Sequence, residues 1–206
     1  QTHTDRGISF ETVITGIFKA PIQGQAMVNK QNVDGDKQAD LLNHGGIHKA
    51  VYGFSNDNYD YWRHTLNNPN LKPGAFGENL TISDFQESEI YIGDQFSVGD
   101  CILEVSQPRV PCFKLGIALS NPKAPKLFTK SYRTGVYFRV IKEGFIEAGQ
   151  DLIKINESPY SVSVEHLFRA YFDKRYRGSE DVFSKALLIQ ELAPEWRNVI
   201  AQRVSE

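Results

Sequence analysis

The segment of residues 79–106 restricts the fold more than any other part of the chain. Its apolar stretches are short, and turn dipeptides at Gly93-Asp94 and Gly99-Asp100 separate them. Stretches this brief suit strands better than helices. Strands are predicted at residues 8–18, 50–54, 90–92, 95–98, 101–106, 135–141 and 152–155. Many short strands joined by glycine-rich turns favour a closed or nearly closed barrel.

Helix signals are sparse in this part and dense at the end. Ser55 is expected to cap a helix reaching residue 66, and residues 112–119 form a short helix before Asn121-Pro122. After Pro159 the predicted helices cover residues 164–172 behind Ser163, 181–190 behind Ser179, and 194–204 from Pro194. The expected fold is therefore mainly β, a barrel domain at 8–158 with few short helices, followed by a three-helix appendage at 159–206.

Composition excludes several classes of protein. The 23 Lys and Arg residues are balanced by 25 Asp and Glu, so nothing indicates a nucleic-acid partner. Two cysteines cannot form a disulfide scaffold, a four-cysteine zinc site or a four-cysteine iron–sulfur cluster, and a cytoplasmic location is expected. No apolar run approaches the roughly 20 residues that span a bilayer, so no membrane partner is expected.

The segment Gln107-Pro108-Arg109-Val110-Pro111-Cys112 is the first candidate for chemistry. Its two prolines make the turn stiff, and a stiff turn can hold a thiol at a fixed point. The charge of Arg109 and a position at the start of a helix both favour the thiolate of Cys112. The alternative is a small buried cysteine, which is the interpretation we prefer for Cys101 in its apolar strand.

A second candidate is the loop Asn43-His44-Gly45-Gly46-Ile47-His48-Lys49. Paired glycines argue against a helix and let backbone N–H groups approach an anion closely. An ordinary glycine turn and a zinc pair made by the two histidines are the alternatives. A third candidate is the loop Gly74–Thr81, which contains Glu78 and Asn79; the alternative is a simple turn. The fourth is Arg133, which can pair with a phosphate; the alternative is an exposed arginine.

Each of these motifs is weak alone, but their order is specific. A His-Gly-Gly loop, then Gly-Glu-Asn-Leu-Thr, a Gly-Asp turn, Leu-Glu-Val and Pro-Arg-x-Pro-Cys resembles the MOSC domain, named for the C-terminal domain of molybdenum cofactor sulfurases. The likeness covers about residues 14–155, and the predicted three-helix tail resembles that of the bacterial YiiM-type branch.

This resemblance implies a barrel-like fold and a molybdenum cofactor, molybdopterin with molybdenum, whose metal is bound by the cysteine at position 112. By position it implicates His44, Gly45, Gly46, His48, Lys49, Glu78, Asn79, Arg109 and Arg133 in the pocket. It also implies a molybdenum-dependent oxidoreductase that detoxifies N-hydroxylated compounds such as 6-hydroxylaminopurine. His44 and His48 are the candidate proton donors, because imidazole titrates near neutral pH.

Electrons for that reaction must come from elsewhere. The chain has no Gly-x-Gly-x-x-Gly turn for a nicotinamide or flavin, so a separate flavoprotein or iron–sulfur protein is the expected donor. Two alternatives stay open: a cofactor carrier or sulfur-transfer module that uses Cys112 without substrate turnover, and a non-catalytic binding domain. Formation of a homodimer also stays open.

Overall fold

The computed structural model describes residues 16–36 and 45–205. Eight strands lie in this part of the chain. They are β1 (Gln25–Val28), β2 (Val51–Ser55), β3 (Leu80–Ile82), β4 (Gln95–Val98), β5 (Cys101–Pro108), β6 (Val136–Lys142), β7 (Gly144–Glu147) and β8 (Ile153–Asn156). The strand predicted at 8–18 falls mostly outside the described residues, and residues 16–18 are irregular.

Six α-helices accompany the strands in the same residues. They are α1 (Asn58–Thr65), α2 (Phe113–Ala118), α3 (Ala124–Ser131), α4 (Val164–Phe172), α5 (Ser179–Leu188) and α6 (Pro194–Ser205). More of the described residues lie in these helices than in the strands, so the fold is mixed α/β. The expectation of a mainly β protein is wrong because α1 and α3, together with the three last helices, contribute so much.

The main sheet is open and mixed. Its six strands follow the order β3-β2-β6-β5-β4-β8, with β2 and β3 parallel and the other neighbours antiparallel. Register shifts in the β4–β8 and β5–β6 pairs mark irregularities of the kind that increase local twist. The sheet curls into half a barrel. The predicted closure into a barrel is not found in the described residues. β1 and β7 form a separate antiparallel pair.

The two faces of the central strands enter two different cores. Val51 and Val105 both pair with Phe138 on one face, where they join the larger apolar cluster. Because successive side chains alternate between faces, Tyr52 and Phe54 enter a second cluster, with Trp62 of α1. Gly53 is required between them: a Cβ there would lie 2.8 Å from the Phe138 ring.

The last three helices extend the larger core and are not a loose appendage. Leu167 and Phe168 of α4, Ala186 of α5 and Ile200 of α6 are buried in the same cluster as Phe138. The Ser163 hydroxyl accepts the backbone N–H of His166 at 3.2 Å, so the predicted cap of α4 is confirmed. Whether the chain divides into domains at 8–158 and 159–206 stays a prediction.

Three local predictions are wrong. Residues 90–92 form no strand, because Ile92 donates its N–H to the Val162 carbonyl and Tyr91 makes only an isolated bridge to Ser163. Ser55 ends β2, and α1 begins later, behind Asp57. Ser179 is the first residue of α5; the cap is Gly178, whose φ of 100° suits a residue without a Cβ.

No helix in the described residues is both long enough and apolar enough to cross a bilayer.

Candidate functional site

Cys112 lies between the end of β5 and the start of α2. It is the N-cap of that helix, with extended backbone angles of φ −117° and ψ 177°. The stiff segment between Pro108 and Pro111 leads the chain off the sheet, and the thiol is half-buried. The predicted position of Cys112 at the start of a helix is confirmed.

Cys101 is more deeply buried than Cys112. It is 1% exposed, and its thiol donates to the Gly144 carbonyl at 3.1 Å. Burial raises the pKa of Cys101 to about 11, so the thiol stays protonated at neutral pH. The prediction that Cys101 is a buried packing residue is confirmed.

Arg109 is buried against aromatic rings beside Cys112. Its guanidinium carbon lies 4.8 Å from the centre of the Tyr52 ring and 5.2 Å from that of Phe128. The same group donates to the Tyr52 hydroxyl at 3.5 Å, and Cys112 lies close enough to affect the pKa values of Arg109 and Tyr137. Burial raises the pKa of Tyr52 and Tyr137, so both hydroxyls stay neutral beside the cation.

A row of polar side chains continues this site across the sheet. Gln107 and Tyr52 both pair with Tyr137, so the three side chains share one face. The Gln107 amide nitrogen donates to Glu195 at 2.9 Å, and the other oxygen of Glu195 binds Lys49 at 2.8 Å. The amide oxygen of Gln107, in a residue only 1% exposed, has no hydrogen-bond partner.

The glycine loop places His48 on the same face of the sheet. Gly46 has a φ of 91°, which favours glycine, and a 3-10 helix (Ile47–Lys49) follows it. Arg139 donates to the Nδ1 atom of His48 at 2.7 Å. A guanidinium can only donate, so Nδ1 accepts and the neutral ring carries its proton on Nε2. His44 lies outside the described residues.

Arg139 is itself held on two sides. It forms an ion pair with Glu104, with which it also pairs across β5 and β6, and it donates to the Glu191 carbonyl at 3.0 Å. Burial lowers the pKa of His48, and the positive charge of Arg139 lowers it further. The histidine is therefore held neutral and in one orientation.

Glu78 and Asn79 make their contacts within the protein. The Glu78 carboxylate accepts hydrogen bonds from the Tyr59 hydroxyl, from the backbone N–H groups of Gly74 and Phe76, and from Thr81. The Asn79 side chain accepts the Tyr52 N–H at 2.9 Å and donates to Asp36 at 2.7 Å. Both residues fix the loop that precedes β3.

Arg133 does not share the contacts of Arg109. Its guanidinium carbon lies 4.3 Å from the centre of the Tyr61 ring, on α1. The structure thus places Arg109 and Cys112 at the end of β5, where Glu195 links Lys49 to Gln107. His48 lies beside Arg139, farther along the sheet, and Arg133 is stacked on a helix.

Sequence reasoning missed several members of the site. Gln107 stands inside the recognised motif, and its proximity to Cys112 was the available signal. Arg139, Glu104 and Glu195 gave none, because their partners lie 35 to 146 residues away along the chain. The described residues hold no group of three His, Cys, Asp or Glu placed for a metal ion. The zinc alternative needs His44, which lies outside them, so it stays untested.

Comparison with known proteins identifies the family. The MOSC-domain family model matches residues 40–153. The chain is 37% identical over 185 residues to the uncharacterized protein YflK of Bacillus subtilis, covering 89% of this chain and 81% of that one. A protein named reductase from Gibberella moniliformis is 36% identical over 165 residues, 77% of this chain but only 29% of the relative.

A solved structure supports the same assignment. The crystal structure of YiiM from Geobacillus stearothermophilus superposes with a TM-score of 0.80 at 29% identity, covering 94% of this chain and 93% of that one. The similarity therefore includes the C-terminal helices as well as the sheet. The chain belongs to the MOSC-domain family, and 94% of it is similar to YiiM of Geobacillus stearothermophilus.

Proposed function

We propose that the protein is a molybdenum-cofactor-dependent reductase of N-hydroxylated compounds, with Cys112 as the metal ligand. The observation that carries this proposal is the half-buried Cys112 thiol beside the buried Arg109 cation and the unpaired amide oxygen of Gln107. Membership of the MOSC family and the reductase name of one relative support it.

The residues at this end of the sheet fit such a cofactor. A thiolate is a suitable ligand for a soft metal centre, and only Cys112 of the two thiols is accessible. Lys49, the Gly45-Gly46 backbone and Arg109 supply positive potential for a phosphate. The unpaired Gln107 oxygen needs an N–H donor, which a pterin edge offers; a buried acceptor without one costs free energy.

The reaction removes one oxygen atom from nitrogen. The N–O bond of a hydroxylamine breaks, two electrons and two protons are taken up, and the products are an amine and water. The bound cofactor supplies the two-electron, oxygen-accepting chemistry. His48 is held neutral by Arg139 with its N–H at Nε2, so in this proposal it donates a hydrogen bond to the leaving oxygen rather than a proton, in place of the proton-donor role expected from sequence.

The electrons come from a separate flavoprotein or iron–sulfur protein in this proposal, and a small molecule such as 6-hydroxylaminopurine is the substrate. Glu78 and Asn79 act through the loop that they hold, rather than by direct contact with the cofactor. A carrier without turnover would share the Cys112 ligand but not the requirement for His48.

The test is metal content and turnover in a host that makes the cofactor. Wild type should contain near-stoichiometric molybdenum and reduce 6-hydroxylaminopurine with an artificial electron donor. Cys112→Ala should lose most of the metal, and Cys101→Ala, the matched control, should retain it. His48→Ala should keep the metal and lose turnover about 100-fold, as expected when one preorganised hydrogen-bond donor is removed.

Three results would count against the proposal. Equal molybdenum content in wild type and Cys112→Ala would show that Cys112 is not the required ligand. Loaded protein without turnover on any N-hydroxylated base supports the carrier. If the protein contains no metal when it comes from a host that loads other molybdenum enzymes, the proposal that it binds the cofactor is wrong.

A further inference from the structure

A cavity of about 250 Å³ lies on the same face of the sheet as His48 but is built from other residues. Strands β4, β5 and β8 form its floor, and the loops after β8 and α5 form its walls. The side chains with polar groups in its lining are Gln95, Glu104, Asn156, Ser158, Tyr160, Gln190 and Glu191. None of these residues belongs to the cysteine motif or to the glycine loop.

Ser158 gives the first sign that this cavity is made for a ligand. The residue is 6% exposed and lines the cavity, yet its hydroxyl has no hydrogen-bond partner. Buried hydroxyls nearly always have one, because an unpaired polar group in the interior costs free energy. A ligand in the cavity would supply the missing partner.

The position of Ser158 is fixed by its surroundings. Its backbone N–H donates to Asp94 at 2.8 Å, and Asp94 also binds Lys154 at 2.8 Å and the Tyr91 N–H at 2.9 Å. Gly93 packs directly on Ser158: a Cβ at Gly93 would lie 3.3 Å from the hydroxyl oxygen. The hydroxyl therefore belongs to a rigid wall.

Charge indicates what kind of molecule fits. Of the described residues that line the cavity, two are carboxylates and none is lysine or arginine. Glu104 is compensated by Arg139 and also accepts from Gln95 at 2.8 Å. Glu191 contacts Arg139 through its backbone carbonyl and not through its carboxylate. The carboxylate of Glu191 therefore determines the charge of the cavity. An anion is disfavoured there, and a cation is favoured.

We propose that this cavity is a binding site for a small planar cation rich in N–H donors, of the guanidinium or amino-heteroaromatic class. Its size is just below the range of about 300–1,000 Å³ typical of drug-sized ligands, which limits the occupant to about one ring. The carboxylate of Glu191 pairs with the cation, and the Ser158 hydroxyl accepts one of its N–H groups.

The cavity is also connected to the histidine of the candidate active site. Glu104 lines it and holds Arg139, which in turn donates to His48. A cation placed beside Glu104 competes with Arg139 for the same carboxylate. Occupancy should therefore shift the NMR resonances of the His48 ring, even in protein that contains no cofactor.

The test uses calorimetric titration of the full chain with phenylguanidinium, and with benzoate as a probe of similar shape and opposite charge. We expect saturable binding of the cation and none of the anion. Ser158→Ala should weaken cation binding about fivefold, the usual value of one hydrogen bond, and Glu191→Gln about tenfold. Ser184→Ala, an exposed serine on α5, should have no effect.

A fold defect cannot imitate this result, because Ser158→Ala removes an unpaired hydroxyl and should leave the urea midpoint unchanged or higher. Equal binding of benzoate would overturn the proposal. So would an absence of saturable heat at millimolar cation, or affinities that neither Ser158→Ala nor Glu191→Gln changes. Binding without a shift of the His48 resonances would overturn the connection to the active site alone. None of these results depends on molybdenum.

Discussion

The two cysteines show how far a single residue's surroundings determine its chemistry. Cys112 lies half-buried on a stiff turn, whereas Cys101 is buried in β5, where its thiol donates to the Gly144 carbonyl. Both positions were predictable from the sequence, since one follows two prolines and the other alternates with apolar neighbours. The partners that tune each site were not, because sheet register decides them.

At pH 8, iodoacetamide should modify Cys112 in the native protein and leave Cys101 intact. The reason is access, and for Cys101 also a pKa raised to about 11, which leaves almost no thiolate. Mass spectrometry of the digested protein measures both sites, and labelling in urea is the control that both thiols are competent. Rapid native labelling of Cys101 would show that β5 opens readily.

His48 should titrate below its ordinary pKa near 6.5, first because it is buried and second because Arg139 faces it. Arg139→Gln should raise the midpoint measured by NMR of the ring, while Arg175→Gln, at an exposed arginine, should not. The unfolded chain binds this proton more readily than the fold does. Stability should therefore fall as the pH drops from about 6.5 through the folded pKa. A midpoint at or above 6.5 would contradict the geometry.

At the scale of elements, local signals succeeded where a side chain acts on its own backbone. Ser163 caps α4, Pro194 opens α6, and Cys112 stands at the start of α2. No helix was predicted at α3, whose Pro125 stands in the first turn, where a proline is tolerated. Local signals also failed for residues 90–92, whose hydrogen bonds go to a distant segment.

The loop before β3 should depend on one buried carboxylate. Glu78→Ala leaves the Tyr59 hydroxyl and two backbone N–H groups without their acceptor, so we expect the free energy of unfolding to fall by about 3 kcal/mol. Urea unfolding of cofactor-free protein measures it, with exposed Glu157→Ala as control. A change below 1 kcal/mol would reassign Glu78 to the cofactor.

For the whole molecule, the amino-acid sequence indicated the family and the order of the secondary-structure elements, but not the proportion of helix to strand. Strand alternation predicts one buried face per strand, yet β2 is buried on both faces and β6 contributes side chains to both cores. The tail helices look detached in sequence because of the polar turns between them. Their apolar faces nonetheless complete the larger core, and Glu195 of α6 reaches Lys49.

Because the two cores share β2 and β6, they should unfold together. Trp62 lies in one core and Trp196 in the other, so Trp62→Phe and Trp196→Phe leave one reporter each. Within each variant, the fluorescence and far-UV circular dichroism midpoints in urea should coincide. Earlier loss of the Trp196 signal would instead support a separate unit at 159–206.

The same alternation limits how the length of this chain can drift in evolution. One residue inserted into β6 before Tyr137 would exchange the faces of everything after it, sending Arg139 into the larger core and Phe138 to the candidate active site. An insertion in the exposed turn at Gly149 changes neither face. We therefore expect insertions to be tolerated in exposed turns, whereas the central strands have to keep their residue count if both the core and the candidate active site are to persist.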